Sequence, residues 1–189
     1  MKPFIFIHIP RTAGNSIVKA LPVDYDSHET AIQWRKRLKA KWNAFFKFTM
    51  VRNPWDRVLS WYLFCRQLRN IAPKEQYIYQ MPFESWVNNG MRTHWETSNV
   101  KFNGENPLTL HEYIMDGPKL IVDFVGRFEH LSQDFNKVCK MIGAPNRRLP
   151  HIYKTRKASD HYRNYYNEIT KKTIAKTFEK DIELFKYTF

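Results

Sequence analysis

The sequence predicts an α/β fold, with a mainly parallel sheet flanked by helices. Three β-rich apolar runs, Phe4–Ile9, Phe45–Val51 and Leu120–Val125, alternate with helical patterns along the chain. These runs are apolar on both faces, as expected of strands covered by helices on each side. Twice, a strand is followed by an arginine, a proline nearby and a helix, which is the layout of a strand–loop–helix unit. The 189 residues suit a single domain over 1–189, with residues 69–119 as a substrate-facing insertion.

The elements follow in order. Phe4–Ile9 reads as a central strand ended by Pro10. A helix is expected from about Asn15 to Leu21, stopped by Pro22. Thr30 to about Asn43 is an amphipathic helix with Ala31, Trp34, Leu38 and Trp42 on one stripe. "FFKFTMV" from Phe45 is the second strand. Pro54 fits the first turn of a helix running to about Leu68, with Val58, Leu59, Trp61 and Tyr62 inward. "FESWVNN" is a short helix closed by Gly90. "LIVDFV" from Leu120 is the third strand. Ser132 is the expected cap of a helix through Met141, with Gly143 beyond it. Asn167 to about Phe185 is the last helix, with Ile174, Phe178, Ile182 and Phe185 at helical spacing.

Lys and Arg number 31 against 18 Asp and Glu, a net charge of +13. Such a surplus attracts nucleic acid, acidic glycans or phosphate-rich small molecules, and speeds their encounter. The apolar and aromatic content supports a packed core and argues against a disordered chain. Cys65 and Cys139 match neither a metal spacing nor a disulfide framework, so both read as buried thiols of a reducing compartment. No apolar run is long enough to span a bilayer, and Phe4–Ile9 lacks the flanks of a secretory signal.

Two stretches carry chemistry. In "HIPRTAGNS", a loop leaving a strand and entering a helix turns backbone N–H groups toward one spot. Gly14 permits close backbone approach, Arg11 can fork onto two anionic oxygens, and Thr12 and Ser16 offer hydroxyls. The pattern is not the Walker G-x-x-x-x-G-K-[ST]. In "VRNPWDRVLSWY", the layout repeats: Arg52 at a strand end and Ser60 on the following helix can hold a second anionic group. Arg57, three residues before Ser60, shares that face. Each stretch alone also fits a plainer reading: an ordinary strand–helix turn for the first, structural caps for the second.

Together these stretches resemble the two cofactor signatures of sulfotransferases that use 3′-phosphoadenosine-5′-phosphosulfate (PAPS). The similarity is to the carbohydrate branch: heparan sulfate 2-O- and 6-O-sulfotransferases, chondroitin sulfotransferases and their bacterial and viral relatives. That branch opens with a pattern like H-I-P-K-T-A-G-T-S. Its second signature, R-N-P-x-x-R-x-x-S-x-Y, matches Arg52 through Tyr62 without exception. Val122–Phe135 and Tyr162–Phe189 also resemble later segments of the family. The resemblance implies a P-loop-kinase-like architecture and transfer of a sulfuryl group to a hydroxyl, of a carbohydrate above all.

By the same resemblance, Arg11, Thr12, Ala13, Gly14, Asn15 and Ser16 would cradle the 5′-phosphosulfate, and Arg52 and Ser60 would bind the 3′-phosphate. Arg11 stands where the family has lysine, and Asn15 where threonine is common. Positive charge is retained, but a planar fork replaces a point charge. Lys154 and Lys157, in the basic loop 144–161, would close over the nucleotide; a solvated charge run is the plain alternative. The origin implied is a cytoplasmic enzyme of a bacterium or virus.

Sulfuryl transfer needs in-line attack, a base for the acceptor proton and a cation at the leaving oxygen. No metal is required for this, and no metal cluster is evident. Histidine suits the base. His28, in "DYDSHETA", lies between the two signatures, where the 6-O enzymes carry their catalytic histidine in a similar context. Glu29 is the second candidate. His8 reads as a packing residue of the first strand, and His94 beside Trp95 as either an acceptor contact or packing. A kinase of similar fold would require a Walker lysine that is absent. A nucleic-acid-binding module would carry a recognised motif, and none occurs, so nucleic acid is not an expected partner.

Overall fold

The computed structural model describes residues 1–23, 28–67, 80–91, 108–145, 148–150, 152 and 160–189. The chain divides into two compact units, Met1–Arg52 with Asn106–Ile152, and Asn53–Glu105 with Tyr153–Phe189.

The first unit is built on a three-stranded parallel sheet in the order β1 (Phe4–Ile7), β2 (Phe46–Val51), β5 (Phe124–Arg127). Phe4 pairs with Phe46 and Ile7 with Thr49; Phe48 pairs with Phe124 and Val51 with Arg127. The α/β class with a parallel sheet is therefore as expected, but β2, not β1, is the central described strand. Phe6, Phe48 and Met50 face Ile17 and Ala20 of α1 (Gly14–Ala20), and Phe135, Val138, Cys139 and Ile142 of α6 (Leu131–Ile142), forming one buried cluster. The α6 residues recur at i, i+3, i+4 and i+7, one helical stripe against the sheet.

Three element boundaries of this unit differ from expectation. The helix expected to reach Asn43 ends at Leu38 as α2 (Ala31–Leu38) and continues as a 3₁₀ segment, Lys39–Ala44. Lys39 has φ 51°, which breaks the α ladder. Of the predicted stripe, Ala31 and Trp42 are buried, and Trp34 and Leu38 are half-buried. The run expected as one strand, 120–125, is split. Leu120 belongs to a hairpin of β3 (Met115–Asp116) and β4 (Lys119–Leu120) and is 42% exposed. Asp123 then pins the chain beside β2: it accepts from the Lys47 N–H at 2.7 Å, pairs with Lys47 Nζ at 2.9 Å, and donates its own N–H to the Lys47 carbonyl. Parallel pairing starts only beyond that clamp. A single helical turn, α5 (His111–Ile114), precedes the hairpin.

α6 begins one residue before the expected cap, because the 3₁₀ turn Phe128–His130 runs straight into it. Ser132 therefore lies inside the helix. Asp134 ties the first turn down instead, accepting from the Arg127 N–H at 2.8 Å and from Lys137 Nζ at 2.7 Å. Burial pushes the Asp134 carboxyl upward, but the bonds from Lys137 and Arg127 outweigh it and hold it below the ordinary carboxylate value. A depressed folded value contributes stability in full above the unfolded value, and that contribution is lost as pH falls through the folded one. Asp134→Asn is expected to destabilise the protein by about 1 kcal/mol at neutral pH. The gap to wild type should close below about pH 4. Thermal denaturation at pH 7 and pH 3 checks this; an unchanged gap would contradict it. At the far end, Gly143 at φ 70° closes the helix as expected, with the Ala144 N–H on the Cys139 carbonyl.

The described elements of the second unit are helical. α3 (Pro54–Gln67) buries Val58, Leu59, Tyr62 and Cys65, whereas Trp61 is only half-buried. α4 (Phe83–Asn88) packs Phe83 and Trp86 on Tyr62, with ring centroids 5.2 and 5.4 Å away, and Gly90 follows it at φ 79°. The last helix is two: α7 (Glu168–Thr177) and α8 (Glu179–Phe185), broken at Phe178. Asn167 caps α7 through a reciprocal box with Thr170. Phe189 packs edge-on to Trp55, Tyr162 and Tyr166.

Cys65 and Cys139 are buried and form no disulfide. Among the described residues, no helix is long and apolar enough to cross a membrane.

Candidate active site

The loop after β1 is held in a shape that ordinary residues resist. Arg11 has φ 67° and Ala13 φ 74°, both left-handed and neither glycine. Each costs roughly 1–2 kcal/mol, so the surroundings must impose them. Thr12, fully buried between them, donates its hydroxyl to the Ile9 carbonyl at 2.8 Å. The Ser16 and Ile17 N–H groups both reach the Ala13 carbonyl, at 3.0 and 3.3 Å, starting α1. Alternating φ signs curl the backbone so that successive N–H groups converge, as in anion-binding nests. Gly14 is helical, and it is glycine for reasons of space. A Cβ there would stand 1.8 Å from Nε2 of His8.

Arg52, one residue past β2 and almost fully buried, reaches back to this loop. Its Nη1 donates to the Arg11 carbonyl at 3.1 Å, and its guanidinium lies 3.9 Å over the Phe128 ring. The structure thus brings Arg11–Ser16 and Arg52 together. No acidic residue occurs anywhere between Phe4 and Leu21. Backbone amides, a serine hydroxyl and two guanidinium groups are a donor set that suits a multiply charged anion.

His28 also lies against this loop's stem. Its Nδ1 is 2.9 Å from the His8 carbonyl. A carbonyl can only accept, so Nδ1 carries a proton, and Nε2 is the ring nitrogen left to act as a base. His28 is not spent on capping: Thr30 caps α2, accepting from the Gln33 N–H while Gln33 Oε1 accepts from the Thr30 N–H. Glu29 instead forms an ion pair with Arg37 at 2.8 Å.

In the second unit, α3 carries the rest of the second signature. Ser60 and Arg57 are both fully buried, and the Arg57 guanidinium lies 5.4 Å from the Trp61 ring centroid. Asn53 starts the helix: its Oδ1 accepts from the Trp55 N–H at 3.1 Å and its carbonyl from the Arg57 N–H. Its Nδ2 donates to the Thr188 carbonyl at 2.8 Å. Sequence reasoning missed this residue, although an Asn directly before a helix-starting Pro is a cap signal. His8 packs as expected, buried and stacked on Phe6. Lys154, Lys157, His94 and Trp95 lie outside the described residues, as do most of 69–119. Among the described residues, no group of three His, Cys, Asp or Glu side chains could hold a metal ion.

Comparison with known proteins agrees with this chemistry. The model of the sulfotransferase family matches residues 2–188, and the chain belongs to that family. The protein is a sulfotransferase, an enzyme of PAPS-dependent sulfuryl transfer. It is similar to an uncharacterized protein of Archaeoglobus fulgidus, 29% identical over 108 residues, covering 57% of this chain and 75% of that one. No solved structure matches.

Proposed function

We propose that this sulfotransferase acts on a carbohydrate hydroxyl, with His28 as general base. PAPS, when bound, supplies the sulfuryl group. In our reading Arg11, Thr12, Ala13, Gly14, Asn15 and Ser16 hold its 5′ end, Arg52 and Ser60 its 3′-phosphate, and Lys154 and Lys157 cover it. The roles of Ser60 and the two lysines rest on the signatures alone. Thr12 contributes its amide, since its hydroxyl proton is given to Ile9. Arg11 meets charge developing on the leaving oxygen. His28 takes the acceptor proton at Nε2.

The observation that carries this reading is the His28–His8 carbonyl bond, which leaves a histidine with its basic nitrogen defined and its ring fixed beside the loop. Incubation with radiolabelled PAPS and a panel of glycans, small phenols and peptides tests it. Label is expected on glycans. Transfer only to phenols or peptides would displace the carbohydrate assignment while leaving the family intact.

A further inference from the structure

We infer that His8 is a positioning residue for His28, fixing the base through both its carbonyl and its ring. This rests on the reading of His28 as the base. The His8 carbonyl sets the tautomer, as described. The ring does the second half of the work. It stacks on Phe6, with centroids 5.4 Å apart at 21°, and meets the His28 ring edge-on at 4.4 Å and 64°. Its Nε2 edge lies where a Cβ of residue 14 would be. The His8 ring is therefore bounded by the strand, the start of α1 and the base itself, and it is buried.

A hydrogen bond at Nδ1 does not by itself stop an imidazole from turning about that bond. The edge-on contact with a wedged second ring removes this freedom, so Nε2 keeps one direction. When Nε2 takes a proton, Nδ1–H stays on the carbonyl, and no group has to rearrange. Gly14 belongs to the same device: the first residue of α1 leaves the room in which the His8 ring sits.

The experiment reads the ring nitrogens of His28 by ¹H–¹⁵N correlation at a pH where the ring is neutral, beside steady-state kinetics. Wild type should show a protonated Nδ1 and a bare Nε2, the reverse of the tautomer that a free histidine side chain favours. His8→Ala keeps the backbone carbonyl and so the tautomer, but should lower kcat by about 10–100-fold, the scale of a misplaced catalytic group. The KM for PAPS should stay within about threefold, since the substitution removes orientation and no loop donor. His8→Phe restores a flat ring without a titratable nitrogen, and should recover most of that loss. A wild-type His28 with its proton on Nε2 overturns the inference, as does a His8→Phe enzyme no better than His8→Ala. His28→Ala is assayed in parallel. If it keeps full turnover, the base lies elsewhere, while the tautomer measurement still reports whether His8 orients His28.

Discussion

His28→Ala is expected to lose transfer while keeping the nucleotide. Removing a positioned general base costs roughly 10²–10⁴ in kcat. Binding of the desulfated product, 3′-phosphoadenosine-5′-phosphate, should remain within about threefold of wild type. The reason is local: His28 touches the carbonyl and ring of His8, and the amide-bearing turn Arg11–Ser16 has supports of its own in Thr12 and Arg52. Calorimetry with the product and kinetics with any competent acceptor separate the two properties. Undiminished turnover would move the base elsewhere. Glu29 is then the next candidate, although it would first have to leave its ion pair with Arg37.

Arg52→Ala should do the opposite, acting on affinity first. A charge-assisted hydrogen bond is worth about 1.5–3 kcal/mol, so product affinity should fall by roughly 10–100-fold. The variant also removes the bond to the Arg11 carbonyl and the packing on Phe128, so the loop loses a support. Arg52→Lys separates these effects. It keeps charge but not the fork, and should recover only part of the affinity. Ser60→Ala should weaken binding by a few-fold, in line with one neutral hydrogen bond. Wild-type affinity in both Arg52→Ala and Ser60→Ala would remove the second signature from the site.

Much of this was legible in the letters because the relevant forces are short-ranged. Strands such as Phe46–Val51 show as apolar runs, and a glycine after a helix shows as a stop. The two signatures could be read because the chemistry needs particular residues at fixed spacing. What escaped was set by partners distant in sequence. The third parallel strand starts late because Asp123 finds Lys47, 76 residues away. The last helix breaks at Phe178, a residue of ordinary helical periodicity, and its ring is fully buried. Ser132 is a better cap by composition than His130, yet Asp134 supplies the anchor through Arg127. His8 packs as expected, but nothing local says that its carbonyl faces a histidine 20 positions on.

In the proposed site, the two left-handed residues at 11 and 13 bear on how quickly and at what dilution the donor can be captured. A glycine-rich loop would sample many shapes and would surrender that freedom each time a ligand arrived. Here the disorder is lost once, during folding, at the expense of overall stability. The enzyme should therefore trade some thermal tolerance for a receptor that is already in shape when its anion is scarce.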